Sequence, residues 1–506
     1  MANQLQNITI AAPAFKGLNT QDSPLSLDHT YAAVADHCVI DKYGRMGARK
    51  GIDVLTTGGA SLGSSVGCVS IFEYTDTAAN TTVFSTGNSL ILSGTTTLVD
   101  ETPAAYTITA DDWKIVSLAD KCYFFQRDHE PLVYSTGTGA VEAMTGATGY
   151  SGTVQEGNEV LSAFGRLWVA DITGDKHTIY WSDLLNGLNW NGGTSGSLDL
   201  TSVWPRGYDE VVALAAHNSS LVIFGKHSIL VYDGADSPST MSLVDTIDSV
   251  GCVSRDTVQA VGVDLLFLSN GGLRSLGRTI QEESLPMTDV SKNIRNDMLD
   301  LINLQTGYIK AVYSPENAFY LISFTDAETV VCFDVRGLLE NGSYRATVWP
   351  SVTIESFCRA DDGTLYIGTS SGICQYDGYS DEGANYILSY YSHPLAFGAP
   401  NNLKQLKSIS ATLIGGSLIS GAFKWAYDYQ ENYTTRTFNL VGDTIAEYGV
   451  AEYGVAEYSI SARPTRTRTN AGGSGSLVTI GMEATIDGSP FSLQELNIQS
   501  TIGRLA

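Results

Sequence analysis

Between residues 66 and 397 the chain repeats one pattern: an apolar or alternating run of four to eight residues, a polar turn, a second run and another turn, often closing on Tyr-Asp-Gly or a near relative. Few folds accept it. Each run is rich in β-branched and aromatic residues and each break carries Gly, Asn, Asp or Ser, the signature of strands joined by hairpins. Five units are clear, at residues 161–183, 211–234, 257–276, 309–334 and 355–378, and two looser ones precede them at 66–94 and 115–137. Units of roughly 40 residues with about four short strands mark a β-propeller, in which each sheet buries its faces against its neighbours. A pair of β-sandwiches would also give many short strands, though not at so regular an interval. The pattern predicts an all-β chain built on a propeller of about seven blades.

Two segments interrupt the strands. Residues 26–37 (SLDHTYAAVADH) and 287–303 (MTDVSKNIRNDMLDLIN) have helical spacing, the second with Val290, Ile294, Met298, Leu301 and Ile302 on one stripe and Thr288 or Asp289 as N-cap. The second is expected as a helix between blades. Residues 38–49 read as a strand, a tight Asp41-Lys42-Tyr43-Gly44 turn and a return strand. After Pro400 longer strands are expected at 402–418, 422–429, 434–441, 477–486 and 491–501, with a Gly/Ser turn at 472–476. The repeat AEYGV-AEYGV-AEYSI at 446–458 has an odd period, which holds its tyrosines on one face of neither a strand nor a helix, so it reads as an irregular ribbon. The expected division is residues 1–60 as an arm and hairpin, 61–398 as the propeller, and 399–506 as a C-terminal β platform that the arm joins.

Charge limits the partners. The chain has 29 Lys and Arg against 54 Asp and Glu, a formal net charge of −25, so its mean field repels polyanions and tight wrapping of nucleic acid is not expected. Seven cysteines without a C-x-x-C pair suit folding in a reducing cytoplasm better than a complete disulfide framework. The opening residues lack an apolar leader, and no run approaches the roughly 18 apolar residues of a membrane span, so neither classical export nor membrane insertion is expected. Signals of catalysis are poor. Asp111-Asp112 and Asp361-Asp362 stand in turn contexts, where Asp favours local backbone bonding. The seven histidines show no zinc spacing, no phosphate-binding loop occurs, and the Gly-Thr-Ser-Gly at 193–196 lacks a nucleophile-elbow context. The expectation is a chain that is not an enzyme and takes no cofactor or metal.

Residues 15–51 (FKGLNTQDSPLSLDHTYAAVADHCVIDKYGRMGARKG) and the closing stretches FGAPNNLKQLK, WAYDYQ, AEYGVAEY and GSGSLVTIGMEATIDGSPFSLQELNIQSTIGRLA cover about a third of the chain. They resemble the opening and closing regions of the podovirus tail proteins called nozzle, tail tubular B-like or head–tail stabilisation proteins. The propeller between them matches in pattern only. The resemblance implies a structural subunit of a ring homo-oligomer, commonly a hexamer, whose propellers surround a platform fed by both chain ends. Such a ring extends the portal–adaptor channel and lets double-stranded phage DNA pass without specific binding during ejection. Its partners would be copies of itself, the adaptor or portal, and tail fibre or spike proteins; its place would be the virion tail, after assembly in the bacterial host cytoplasm. Larger relatives carry inserted domains that narrow the tip, for which 506 residues leave little room.

Within that reading, Glu447, Glu452 and Glu457 are candidate channel or rim residues, because an acidic wall passes a polyanion that a basic one would hold. They serve equally well as a solvated ribbon. Arg45, Arg49 and Lys50, the densest basic group, and Arg463, Arg466 and Arg468 are candidate contacts with an adaptor or a neighbouring subunit, against the plainer roles of a solvated hairpin face or an intramolecular ion pair for the first group and open surface for the second. The rival function is a carbohydrate-binding or carbohydrate-cleaving propeller, in which some of Trp113, Trp168, Trp181, Trp190, Trp204, Trp349 and Trp425 would stack on sugar rings.

Overall fold

All seven sequence units become antiparallel sheets, and each unit supplies the inner three strands of its sheet. The computed structural model describes residues 5–63, 67–104, 106–282, 289–415, 419–440 and 464–505. The innermost strands, among them Ser70–Thr75, Lys114–Leu118, Gly157–Ala163, Val211–His217, Ile309–Ser314 and Ser356–Arg359, follow one another around a single axis, and the last returns to the first. The chain is therefore an all-β propeller with a β-rich platform.

The count needs a correction. Six blades are complete, with four strands or more, while the unit at 257–276 forms only three strands. Its chain turns into the helix Leu276–Glu282 where a fourth strand would begin. Numbered in order around the axis, blades 1 to 4 are followed by this short fifth sheet and by blades 6 and 7. Blade 7 takes its outermost strand, Gly51–Val54, from the other end of the chain, in register Val54↔Cys374 to Gly51↔Asp377. That strand closes the circle.

What holds the circle is side-chain packing between neighbouring sheets. Phe84 and Phe124 meet edge to face at 5.3 Å between blades 1 and 2; Trp168, Trp204, Leu221 and Leu230 share one cluster between blades 3 and 4. Phe224 and Phe267 lie 5.0 Å apart between blade 4 and the fifth sheet, and Trp349 stacks on Tyr376 at 5.8 Å between blades 6 and 7. Buried aromatic pairs of this kind add about 0.5–1.5 kcal/mol each beyond the area they bury. The alternating strands supply those side chains because both faces of a blade are covered by neighbours.

The platform is a sandwich of two sheets. In one, the strand path runs Cys38–Ile40, Met46–Ala48, Phe491–Leu505, Asn402–Gly415, Pro464–Asn470, with Leu5–Ala11 also paired to Phe491–Leu505. In the other, Ala32–Asp36, Tyr386–Ser392, Val478–Ile486, Ile419–Tyr427 and Thr434–Leu440 extend the sheet of blade 6 through its outer strand, Arg345–Pro350. Leu406, Ile409, Leu413, Phe423, Trp425, Ile480, Met482, Leu496 and Ile498 fill the space between them.

The strands expected after Pro400 are present within a few residues, Ser474–Gly475 in the expected Gly/Ser turn pairs with Gln405 and Lys404, and the ribbon expected at 446–458 lies outside the described residues. The tight turn at 41–44 holds too: Gly44, at φ +72°, donates to the Asp41 carbonyl at 2.9 Å, and an added Cβ would strike Pro13. The helix expected at 26–37 is absent. Ala32–Asp36 is a strand there, because pairing with Tyr386–Ser392 overrides the local spacing. The second helix is Arg295–Leu304, preceded by a 3-10 turn at Lys292–Ile294. Val290, Ile294 and Met298 of its stripe are buried and Leu301 and Ile302 half-buried. Asp289 accepts from the Ser291 amide at 2.9 Å instead of capping the helix, and Thr288 lies outside the described residues.

Candidate functional site: the propeller axis and the platform joint

Strand register brings six ionisable side chains to the axis. Lys114 comes from blade 2, Glu159 from blade 3, Lys310 from blade 6, Asp112 from the approach to blade 2, and Arg255 and Asp256 from the turn before the fifth sheet. Lys114 Nζ lies 3.0 Å from Asp256 Oδ1 and 3.9 Å from Glu159 Oε2. Lys310 Nζ reaches Asp256 Oδ2 at 2.8 Å and also pairs with Asp112. Arg255 spans the axis: Nη2 is 2.9 Å from Asp112 Oδ2, Nε is 3.4 Å from Asp256 Oδ2, and Nη1 donates to Asn158 Oδ1 at 2.8 Å.

The electrostatics of the six differ. Burial opposes the charge of Asp256, but Lys310, Lys114 and Arg255 outweigh it and hold the carboxyl well below its ordinary range. Burial likewise opposes Lys114 and Lys310, and their carboxylate partners still raise both. Glu159 is the exception. Burial pushes it up to about 7 despite the pull of Lys114 and Arg255. Its Oε1 accepts from the Leu214 amide at 3.1 Å, while Oε2 has no hydrogen-bond partner among the described residues.

Paired buried charges add little net stability, yet removing one partner strands the others, so such a cluster fixes how its elements meet. Here it ties blades 2, 3 and 6 and the fifth sheet across the axis. Cavities of about 740 and 380 Å³ abut it, with Asp256 lining both. An axis crossed by bonded side chains does not pass a polymer. Asp112 had read as a turn residue in sequence; its partners lie 143 and 198 positions away, and no local signal connects them.

A second buried charge joins propeller to platform. Arg49 is completely buried. Its guanidinium pairs bidentately with Asp381, Nη1 to Oδ1 being 2.8 Å, donates from Nε to His37 Nδ1 at 3.2 Å, and lies over the Tyr386 ring at 4.3 Å and the Trp349 ring at 5.4 Å. Burial, then the charge of Arg49, pushes His37 down to about 4, which leaves it a neutral acceptor. Trp349 Nε1 donates to the Cys38 carbonyl at 3.2 Å. The outer strand of blade 6, the hairpin and the second platform sheet meet at this point.

Arg49 is thus an internal anchor, and the expectation of an external contact there is corrected: ion pairing across the joint has drawn it out of solvent. Arg45 pairs with Asp41 at 2.6 Å and stacks on Tyr43 at 4.3 Å, while Lys50 makes a surface pair with Asp377 at 3.0 Å. Arg466 and Arg468 project from Pro464–Asn470 on one exposed face, and Arg468 Nη2 donates to Ser408 Oγ at 3.3 Å. The hairpin and this strand stand at opposite edges of the same platform sheet, so the two basic groups are not brought together. Arg463, Glu447, Glu452 and Glu457 lie outside the described residues.

Of the tryptophans, six are buried between sheets and Trp190 is half-buried, which removes the stacking surfaces that a sugar site needs. Among the described residues no group of three or more His, Cys, Asp or Glu is placed to hold a metal ion, and no helix is long and apolar enough to cross a membrane.

No family model matches the chain, and no curated protein matches it either. Solved structures do. The chain is similar to YCF48 from Cyanidioschyzon merolae (8% identity over 61% of this chain and 96% of that one, TM-score 0.39). It is also similar to the Pan2 WD40 domain of Neurospora crassa (9% identity, 64% and 88%, TM-score 0.33). A third likeness is to the extracellular domain of BT4673 from B. thetaiotaomicron (12% identity, 78% of this chain, TM-score 0.30), of which the chain spans about half, 48%.

Proposed function

We propose that this chain is a structural subunit of a short-tailed phage tail, a nozzle or ring protein that assembles around a common axis beyond the portal and adaptor and lets the genome pass during ejection. One observation carries the reading. The two stretches that resemble such proteins are separated by some 350 residues in sequence, yet they pair strand to strand in one platform, as in Met46↔Leu493 and Gly47↔Ser492. A platform fed by both chain ends is what the resemblance implies for the floor of a ring of copies.

Under this reading the filled axis supports a path for DNA outside the propeller. It runs through the lumen between copies and not through any propeller, which serves as a rigid wall. The net charge of −25 suits that wall, since each neutralised phosphate would add affinity and slow transit. The burial of six of the seven tryptophans weighs against the carbohydrate alternative. Electron microscopy of the purified chain mixed with its portal and adaptor tests the proposal. A closed ring, commonly of six copies, is the expected image; a chain that stays monomeric beside its portal and adaptor and binds glycans defeats it.

A further inference from the structure

Between blade 4 and the fifth sheet lies a small cavity of about 120 Å³ whose lining holds Arg206, Lys226, His227 and Arg274 and no carboxylate. In a chain with nearly twice as many acidic as basic residues, that lining is exceptional. The fold builds it from turns. Lys226 and His227 cap the hairpin between Ser220–Gly225 and Ser228–Asp233, Gly271 caps the one between Asp264–Ser269 and Gly272–Ser275, and Arg206 comes from the loop before blade 4.

Arg274 is the unusual member. It is 6% exposed, its Nε donates to Ser269 Oγ at 3.0 Å, and its Nη1 is buried with no hydrogen-bond partner among the described residues. A second guanidinium stands close by: a Cβ on Gly271 would lie 3.5 Å from Arg274 Nη2 and 3.9 Å from Arg295 Nη2. Asp289 is near enough to attract Arg274, but its Oδ2 is also buried without a partner. Arg206 and Lys226 hold Asp248 and Glu210, each at 2.7 Å, and neither carboxylate lines the cavity. A buried charged donor left unbonded is costly and rare enough to call for an occupant.

We infer that this cavity binds a single phosphate group, free or at the end of a nucleic acid strand, with Arg274 at its base and Arg206 and Lys226 at its mouth. Size and chemistry agree on this class. The space equals about four water molecules' share of the liquid, well below the roughly 300 Å³ at which pockets take drug-sized ligands. Guanidinium groups match phosphate oxygens two at a time, which favours phosphate over a halide.

The test is calorimetric titration of the full chain at constant ionic strength with sodium phosphate, and with a short oligonucleotide carrying or lacking a 5′-phosphate. The expected result is saturable binding of phosphate, weakened roughly tenfold or more in Arg274→Gln and in the double variant Arg206→Gln, Lys226→Gln. The double variant keeps the test sound if Arg274→Gln fails to fold, because both of its side chains are about half exposed. Tighter binding of the 5′-phosphorylated strand, lost in the double variant, assigns the group to a nucleic acid end; binding of phosphate alone assigns it to the free ion. No saturable binding of any probe, or affinities unchanged in the double variant, overturns the inference.

Discussion

Replacing Glu159 by Gln should make the propeller more stable at pH 8 and flatten its response to pH. In the folded chain burial raises this carboxyl from an ordinary 4.5 to about 7. A group whose folded pKa is raised contributes stability that is fully present below its unfolded pKa and is lost as pH climbs through the folded one. The window is therefore pH 4.5 to 7. At about 1.4 kcal/mol per pH unit of displacement, the loss across that window is about 3 kcal/mol. Glutamine keeps the acceptor for the Leu214 amide and carries no charge to desolvate, while Lys114 retains Asp256 at 3.0 Å. Most of that loss should be recovered at pH 8, with little change at pH 4.5. Thermal melts at pH 5, 6, 7 and 8 would show the wild-type midpoint falling by a few degrees more across the series than that of the variant, whose remaining slope includes Asp36, raised by burial to about 6. Hydrogen exchange at Leu214 reports the same event locally. A variant whose slope equals that of wild type, or one less stable at pH 8, would refute the assignment of burial as the dominant effect.

Other substitutions separate structural charges from surface ones. Asp381→Ala strands the fully buried Arg49 and should cost about 3–5 kcal/mol, whereas Asp377→Ala, which breaks the exposed pair with Lys50, should cost at most about 1 kcal/mol in the same melts. Trp349→Ala removes a buried ring stacked on Tyr376 and should cost about 3–5 kcal/mol, with Trp349→Phe between it and wild type. Six of the seven cysteines are buried and Cys358 is half-buried, so a thiol reagent should label at most Cys358 in the folded chain and all seven in denaturant, as counted by mass spectrometry. If the chain is the tail subunit proposed above, reversing Glu447, Glu452 and Glu457 to Lys should slow DNA ejection from assembled particles without blocking assembly; normal ejection kinetics would remove those residues from any channel wall.

The three inner strands of every blade were legible because both faces are covered and the runs are apolar, as in Ser220–Gly225 and Phe319–Phe324. Outer strands were not. Gly196–Asp199 is mostly exposed and Ser242–Asp248 has a single buried residue, so neither carries the apolar run of an inner strand although both complete their sheets. Gly51–Val54 was assigned to the arm, since nothing local ties it to a partner more than 300 residues away. The strand Ala32–Asp36 carries a helical pattern that only its pairing overrules. The same distance in sequence hid the axial cluster: single Asp and Lys residues acquire their meaning from register, and register is set by strands that sequence alone does not align.

The strand Gly51–Val54 is made early and finds its place only when Gly372–Asp377 emerges from the ribosome, an interval of roughly 15–60 s at ordinary rates of synthesis. Phe491–Leu505, the centre of one platform sheet, comes later still. A product truncated before residue 372 therefore lacks both the partner of its closing strand and the centre of one platform sheet. An incomplete chain can neither close its circle of sheets nor build its platform, so the order in which the polypeptide is written keeps fragments from adopting the fold.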